Sequence, residues 1–187
     1  MYKGIDVSEH QGIIDWTKVS NEIDFAILRA GYGRKHLDEQ FKRNAAECER
    51  LGIPYGAYWF SYAFDTDLAF EEANCICTLL KEYNPTMPIC FDYEYDSWDW
   101  AKKQSPDISY DDVIEITETF LSHVEGQGYY AMIYTNMDWL NRCFYRLTSR
   151  YDTWLAYWAG NDPGRKYGIL QYSSTGKIPG ISGAVDL

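Results

Sequence analysis

No apolar run in this sequence approaches the ~18 residues that a membrane-crossing helix needs, so membrane insertion is not expected. The opening residues, MYKGIDVSEHQG, also lack the apolar segment of a secretory signal. The expectation is therefore synthesis in the cytoplasm without a recognisable leader. Basic residues are scarce: 17 Lys and Arg stand against 28 Asp and Glu, for a net charge of −11. That argues against nucleic acid as a partner, because a basic face is its usual electrostatic footprint. Polyanionic substrates would gain no general steering either. None of the three histidines is paired at metal-ligand spacing. The five cysteines (Cys48, Cys75, Cys77, Cys90, Cys143) are odd in number and scattered, and Cys75-x-Cys77 has no second pair. Neither a disulfide framework nor a zinc site is expected, and the thiols read as small core residues of a chain kept reduced. With no linker and no low-complexity segment, residues 1–187 read as one domain.

What is abundant is aromatic and two-faced: Tyr 17 and Trp 7 against Phe 8. Such side chains offer a flat apolar face with a polar handle. Sugar rings, with C–H patches and hydroxyl rims, are matched partners, though a tyrosine-rich core would give the same composition. Strand candidates rich in Ile, Tyr, Phe and Trp occupy 2–8, 24–33, 55–63, 88–95, 130–136, 152–159, 167–174 and 182–187. Apolar residues recur at helical spacing within 38–51, 69–83 and 111–125. A further helix is expected over 137–147 and a short one within 14–22. Ser109 and Asp112 form a capping pair before the third of these. Strand-helix alternation points to parallel β-α units. The last three strands are too closely spaced for crossover helices, which need ~10–12 residues. The expected fold is thus an α/β, TIM-like barrel of eight strands and about five helices, (β/α)5(β)3.

The stretch ICFDYEYDSWDW, 89–100, places Asp92 and Glu94 where a buried strand would ordinarily carry Val or Ile. Residues two apart on a strand share a face, with alpha carbons ~6.5–7 Å apart. Asp92 and Glu94 therefore face the barrel interior if Phe91, Tyr93 and Tyr95 face the helices. Asp6, in GIDVS, and Asp186, in SGAVDL, lie on the first and last strands, which are neighbours in a closed barrel. Four carboxylates would then converge at the C-terminal rim, where barrel enzymes place their chemistry. Crowding raises carboxyl pKa values and keeps an acid protonated, as general acid catalysis requires. A hard-cation site is the rival use, but DYEYD bears only a loose likeness to such loops. One acid and one carboxylate flanking a labile bond is the usual equipment of glycoside hydrolysis. Strand-end aromatics available to hold sugars are Tyr32, Tyr58, Tyr62, Tyr134, Trp158 and Tyr172. Arg29, on the second strand, is expected to hold Asp6 or Asp92 ionised. His10 reads as a turn residue or a support for the carboxylates. Trp98 and Trp100 fall in a loop, as a sugar platform or as an anchor.

These residues carry a resemblance. GIDVSEHQGIIDW (4–16), FAILRAGYG (25–33), GIPYGAYWFSYA (52–63), FDYEY (91–95), WLAYW (154–158) and LQYSSTGKIPGISGAVDL (170–187) occur in the order found in the family-25 glycoside hydrolases, lysozymes of the N-acetylmuramidase type. The resemblance implies a barrel of eight strands and five helices, with no cofactor. It implies cleavage of the β-1,4 bond from N-acetylmuramic acid to N-acetylglucosamine in peptidoglycan glycan strands. Glu94 would be the general acid, with Asp92, Asp6 and Asp186 completing the catalytic set. Tyr62, Tyr134, Tyr32 and Trp158 would contact substrate. Trp59 stands where many relatives carry histidine. A phage endolysin-like role is expected, with a wall-binding domain beyond residue 187. A chitinase-like glycosidase and a barrel that only binds wall glycans are the alternatives.

Overall fold

Side-chain alternation along short strands sorts this protein into an interior and a helix-facing layer. The computed structural model describes residues 2–187. Its elements are β1 (Gly4–Val7), α1 (Trp16–Val19), β2 (Phe25–Tyr32), β3 (His36–Leu37), α2 (Phe41–Leu51), β4 (Tyr55–Phe60), α3 (Thr66–Leu80) and β5 (Ile89–Asp92). There follow α4 (Tyr95–Gln104), α5 (Tyr110–Gly126), β6 (Ala131–Asn136), α6 (Met137–Arg142), β7 (Asp152–Ala156) and β8 (Ile169–Gln171). Seven strands pair in parallel in the order β1-β2-β4-β5-β6-β7-β8, and the two-residue β3 adds antiparallel to β2.

The sheet curls so that one face encloses Ile27, Cys90, Met132, Tyr134, Trp154 and Ala156. The other face, with Leu28, Phe91, Ile133 and Leu155, packs on helix residues such as Ala73, Ile76, Phe120 and Leu121. Each strand serves both layers because successive side chains point to opposite faces. The helices stop and start on local signals. Gly52, in the left-handed region at φ 69°, ends α2 with its N–H on Cys48 O and Glu49 O. Asp65 caps α3 by accepting from Leu68 N at 2.8 Å. Ser109 and Asp112 form the expected reciprocal cap of α5, with Ser109 N donating to Asp112 Oδ2 at 2.7 Å.

Three expectations need correction. Tyr95, expected as the end of a strand, and Trp98 and Trp100, expected in a loop, belong to α4 (Tyr95–Gln104), which brings the helices to six among the described residues. Its start signals were disguised as strand: Glu94 is the extended N-cap residue, its N–H on Ser97 Oγ at 3.1 Å. The helix expected over 137–147 ends at Arg142, followed by a 3-10 turn at Phe144–Arg146. The run 182–187 is not a regular strand. It makes antiparallel bridges only, Asp6 to Asp186 and Gly176 to Val185, because Gly180 just before it and Gly183 within it, at φ 100° and 98°, bend the chain. This tail still lies between the two sheet edges. Asp6 N donates to Asp186 O at 3.2 Å, and Tyr172 N to Leu187 O at 2.7 Å. No helix among the described residues is long and apolar enough to cross a membrane. Cys48, Cys77, Cys90 and Cys143 are buried, Cys75 is half-buried, and none of the five is paired.

Candidate active site

Asp92 is the last residue of β5, in register with Phe60 of β4 and Tyr134 of β6. Phe91 and Tyr93 turn outward, their rings 6.1 Å apart, with Phe91 against Phe120 at 5.0 Å. The extended backbone of Glu94 (φ −124°, ψ −167°) continues this alternation past the strand end. Asp92 and Glu94 consequently both line a cavity of about 270 Å³, and Asp6 and Asp186 line it too. Arg29, Tyr58, Tyr134, Trp154, Gln171 and His10 complete much of its wall. A larger cavity of about 540 Å³ opens where the strands begin, at Gly4, Phe25, Pro54, Met87 and Ile169. That one is largely apolar and takes only Asp6 from the acid group.

The acids are held away from their ordinary protonation behaviour. Burial pushes Asp92 well above the usual carboxylate range, Glu94 and Asp6 push it further, and the Arg29 charge opposes them. Burial, then the Asp186 charge, raises Asp6 to about 8, while the hydrogen bond from Gln171 pulls it down. Burial, Asp96 and Asp186 raise Glu94 to about 6. Burial raises Asp186 as well, with the neighbouring Asp6 carboxyl opposing that rise. Asp92 Oδ1 is buried and has no hydrogen-bond partner. An acceptor in that state costs about 1–3 kcal/mol unless a ligand or water supplies a donor. The cavity thus combines a carboxylic acid able to donate near neutrality with a buried acceptor in want of a donor.

Of the aromatics expected to hold substrate, Tyr58 and Tyr134 line this cavity, and Arg29 lines it with them. Tyr134 donates to Gln171 Oε1 at 3.1 Å and meets Trp154 edge-on at 4.6 Å. Tyr62 lies outside the lining, against Phe60 at 5.2 Å and Trp100 at 6.2 Å. Tyr32 stacks on His36 at 5.2 Å, with the Arg29 guanidinium 5.2 Å from its ring centre. Trp158 is 58% exposed beyond the end of β7. Trp59, fully buried, donates from Nε1 to Gly33 O at 3.1 Å and belongs to the outer core.

Arg29 does not bond Asp6 or Asp92 as expected. Its Nε donates to Asp38 Oδ2 at 2.8 Å, and Nη2 faces Glu9 Oε1 at 2.9 Å without hydrogen-bond alignment. The reason is positional: Asp38 follows β3, which doubles back on β2 and brings a buried acid beside the Arg29 head. Asp38 also accepts from Glu9 N at 2.9 Å, tying the first loop to this group. His10 Nε2 lies 3.3 Å from Arg29 Nη1. A guanidinium only donates, so this nitrogen accepts. Sequence reasoning missed Gln171 and Trp154. Gln171 Nε2 donates to Asp6 Oδ2 at 3.0 Å, making it the bridge between Asp6 and Tyr134. The signal was available, since Ile169 and Gln171 share the interior face by the period of two. Tyr172, chosen instead, lines the larger cavity. Among the described residues no three His, Cys, Asp or Glu side chains are grouped so as to hold a metal ion.

Comparison with known proteins bears on this geometry. The pattern of Glycosyl hydrolases family 25 matches residues 5–181. Lysozyme M1 of Streptomyces globisporus is 27% identical over 202 residues, covering 98% of this chain and 66% of that protein. The modular autolysin LytC from Streptococcus pneumoniae superposes with a TM-score of 0.82 at 30% identity, over 99% of this chain and 45% of that one. The catalytic domain of endolysin ply40 from bacteriophage P40 of Listeria monocytogenes gives a TM-score of 0.83 at 22% identity, over 100% of this chain and 91% of that one. This chain therefore spans just under two thirds of the Streptomyces lysozyme and less than half of LytC. A match over residues 5–181, from β1 through β8 and including Asp6, Asp92 and Glu94, means that the chain belongs to glycosyl hydrolases family 25.

Proposed function

We propose that residues 1–187 form one lysozyme-type catalytic domain that hydrolyses the β-1,4 bond between N-acetylmuramic acid and N-acetylglucosamine in bacterial peptidoglycan. The observation carrying this reading is the gathering of Asp6, Asp92, Glu94 and Asp186 in one cavity, each with its proton affinity raised. LytC, with its related fold, has been solved in complex with a synthetic peptidoglycan ligand, which supports the substrate class. In this reading the tail at 185–187 serves as the eighth strand of a TIM-like barrel, and it brings Asp186 to Asp6.

Glu94, raised to about 6, gives its proton to the glycosidic oxygen as the bond to the anomeric carbon breaks. Asp92 takes the N–H of the substrate's 2-acetamido group on its unpartnered oxygen. The acetamido carbonyl oxygen then attacks the anomeric carbon and closes a ring. Water opens that ring, and the Glu94 carboxylate takes the proton released, which returns the acid to its starting form. Substrate assistance of this kind is an exception to the two-carboxylate scheme. Rapid cleavage of an analogue lacking the acetamide would favour direct attack by Asp92 instead. Tyr134, Tyr62, Tyr32 and Trp158 offer faces to the sugars, and Arg29 supports the cavity from behind.

The test is Glu94→Gln. It should fold normally and lose about 10²–10⁴-fold in the rate of clearing bacterial walls, the usual contribution of a general acid. Mass spectrometry of fragments released by the unsubstituted protein should find muramic acid at the reducing end. Efficient cleavage of chitin with indifference to muramic acid would point to a chitinase-like enzyme. Wall binding without any cleavage would leave a binding barrel.

A further inference from the structure

Two tryptophans follow the acids on α4, and the helix uses them differently. Trp98 is wedged into the aromatic layer, stacked on Tyr110 at 5.1 Å and edge-on to Trp139 at 5.8 Å, with Lys102 Nζ 4.8 Å from its ring centre. Trp100 lies about 200° further round the helix. It keeps 45% of its surface in water and meets Tyr62 edge to face at 6.2 Å. A single exposed apolar side chain is ordinary and says little by itself. The way Tyr62 is held says more.

Glu72, on α3 and 2% exposed, accepts from Ser61 Oγ at 2.5 Å and from Tyr62 N at 3.0 Å. Ser61 Oγ accepts in turn from Ala63 N at 3.1 Å, and Ser61 N donates to Asp92 O at 2.8 Å. The turn bearing Tyr62 is therefore clamped between a buried carboxyl and the backbone of a catalytic-cavity acid. Gly33 completes the seat, since a Cβ there would stand 3.1 Å from Tyr62 Cδ2. A buried carboxyl is a costly way to fix a surface turn. The core does not need the Tyr62 ring, which is only half-buried. The rise of six residues sets Trp100 ~9 Å along α4 from Glu94, away from the bond that Glu94 would protonate.

We infer that Tyr62 and Trp100 form a rigid sugar-binding corner outside the cavity, taking the C–H face of one further pyranose ring of the glycan strand. The inference rests on the reading of this domain as a glycan hydrolase and names a contact for a sugar distant from the scissile bond. The test uses Glu94→Gln protein, titrated calorimetrically with peptidoglycan glycan oligosaccharides of two, four and six sugars. Adding Trp100→Ala should weaken the longest ligand about 3- to 10-fold, the range of one aromatic contact. It should leave the disaccharide and the melting temperature unchanged, and Trp100→Phe should retain most of the affinity. Unchanged affinity at every length overturns the inference. A loss of equal size at every length overturns it too, because the contact would then not belong to a distant sugar. If the folded Glu94→Gln protein binds no glycan at all, the corner and the hydrolase reading fall together. Length-dependent binding by a protein that cleaves no wall would sink the hydrolase reading alone.

Discussion

Replacing Glu72 by Gln removes a buried ionisable group while nearly preserving its shape, and the effect on stability should depend on pH in a calculable way. Glu72 is 2% exposed, and burial raises its carboxyl from 4.5 to about 7 against the two hydrogen bonds that lower it. In the unfolded chain it loses its proton near 4.5, whereas the folded protein retains the proton until about 7. Between those values the native state binds more protons, so stability falls as pH rises. The contribution is fully present below the unfolded value and is lost once pH passes the folded one. From pH 5 to pH 8 the loss amounts to about 2–3 kcal/mol at 1.36 kcal/mol per unit. The amide introduced by Glu72→Gln cannot ionise, so the variant escapes this loss. For a chain of this size that corresponds to about 5–10 °C in melting temperature. The assay is calorimetric or circular-dichroism melting of both proteins at pH 5 and pH 8. The advantage of Glu72→Gln over the unsubstituted protein should widen by that amount between the two. No charged group is among the causes of the Glu72 shift, so titration of the cavity acids cancels in this double difference. A gap that stays constant with pH would refute the account of Glu72 as a carboxyl burdened by burial.

Arg29→Lys should lower stability by about 2 kcal/mol in denaturant unfolding and lower activity in step. One ammonium cannot span Asp38 and Glu9, and Asp38 would be left partly unpaired in the interior. Lost activity with intact stability would instead restore a direct role for Arg29 at Asp92. Gln171→Leu should cost about tenfold in kcat, roughly the worth of one hydrogen bond. Glu94 sets the alkaline limb of the pH–rate profile near 6, so the mark of Asp6 is a second, steeper fall above about 8, and that fall should move upward because the bond that holds Asp6 down is gone. An unaltered profile would count against any part for Asp6 in the reaction.

Much of the site could be read locally. Ile89-Cys90-Phe91-Asp92 alternates as a strand must, and Asp92 and Glu94 fall together on the interior face although the strand ends between them. The same alternation misled at Tyr95 and beyond, where the aromatic-acid run looked like more strand or loop. It is α4, started by Glu94 and Ser97 and turning Trp98 inward and Trp100 outward. Gln171 was overlooked because the neighbouring tyrosine is a more familiar sugar contact, although residue parity favoured the glutamine. Arg29 was identified as an interior charge needing an acid, yet the acid proved to be Asp38. That choice depends on β3 doubling back on β2, and two residues leave too short a pattern to recognise.

By itself the sequence determined the strand-helix alternation up to β8 apart from β3 and α4, the shared facing of Asp92 and Glu94, and the ends of α2 and α5. These follow from periodicity and capping, which act over a few residues. The tertiary structure decided which acids became neighbours and which kept their protons. Asp6 meets Asp186 through the antiparallel tail and meets Gln171 across 165 residues of chain. Such contacts arise from the curl of the sheet, which sums small strand-to-strand rotations over the whole molecule. Burial, the largest cause of every raised carboxyl in the cavity, exists only once that curl has excluded water.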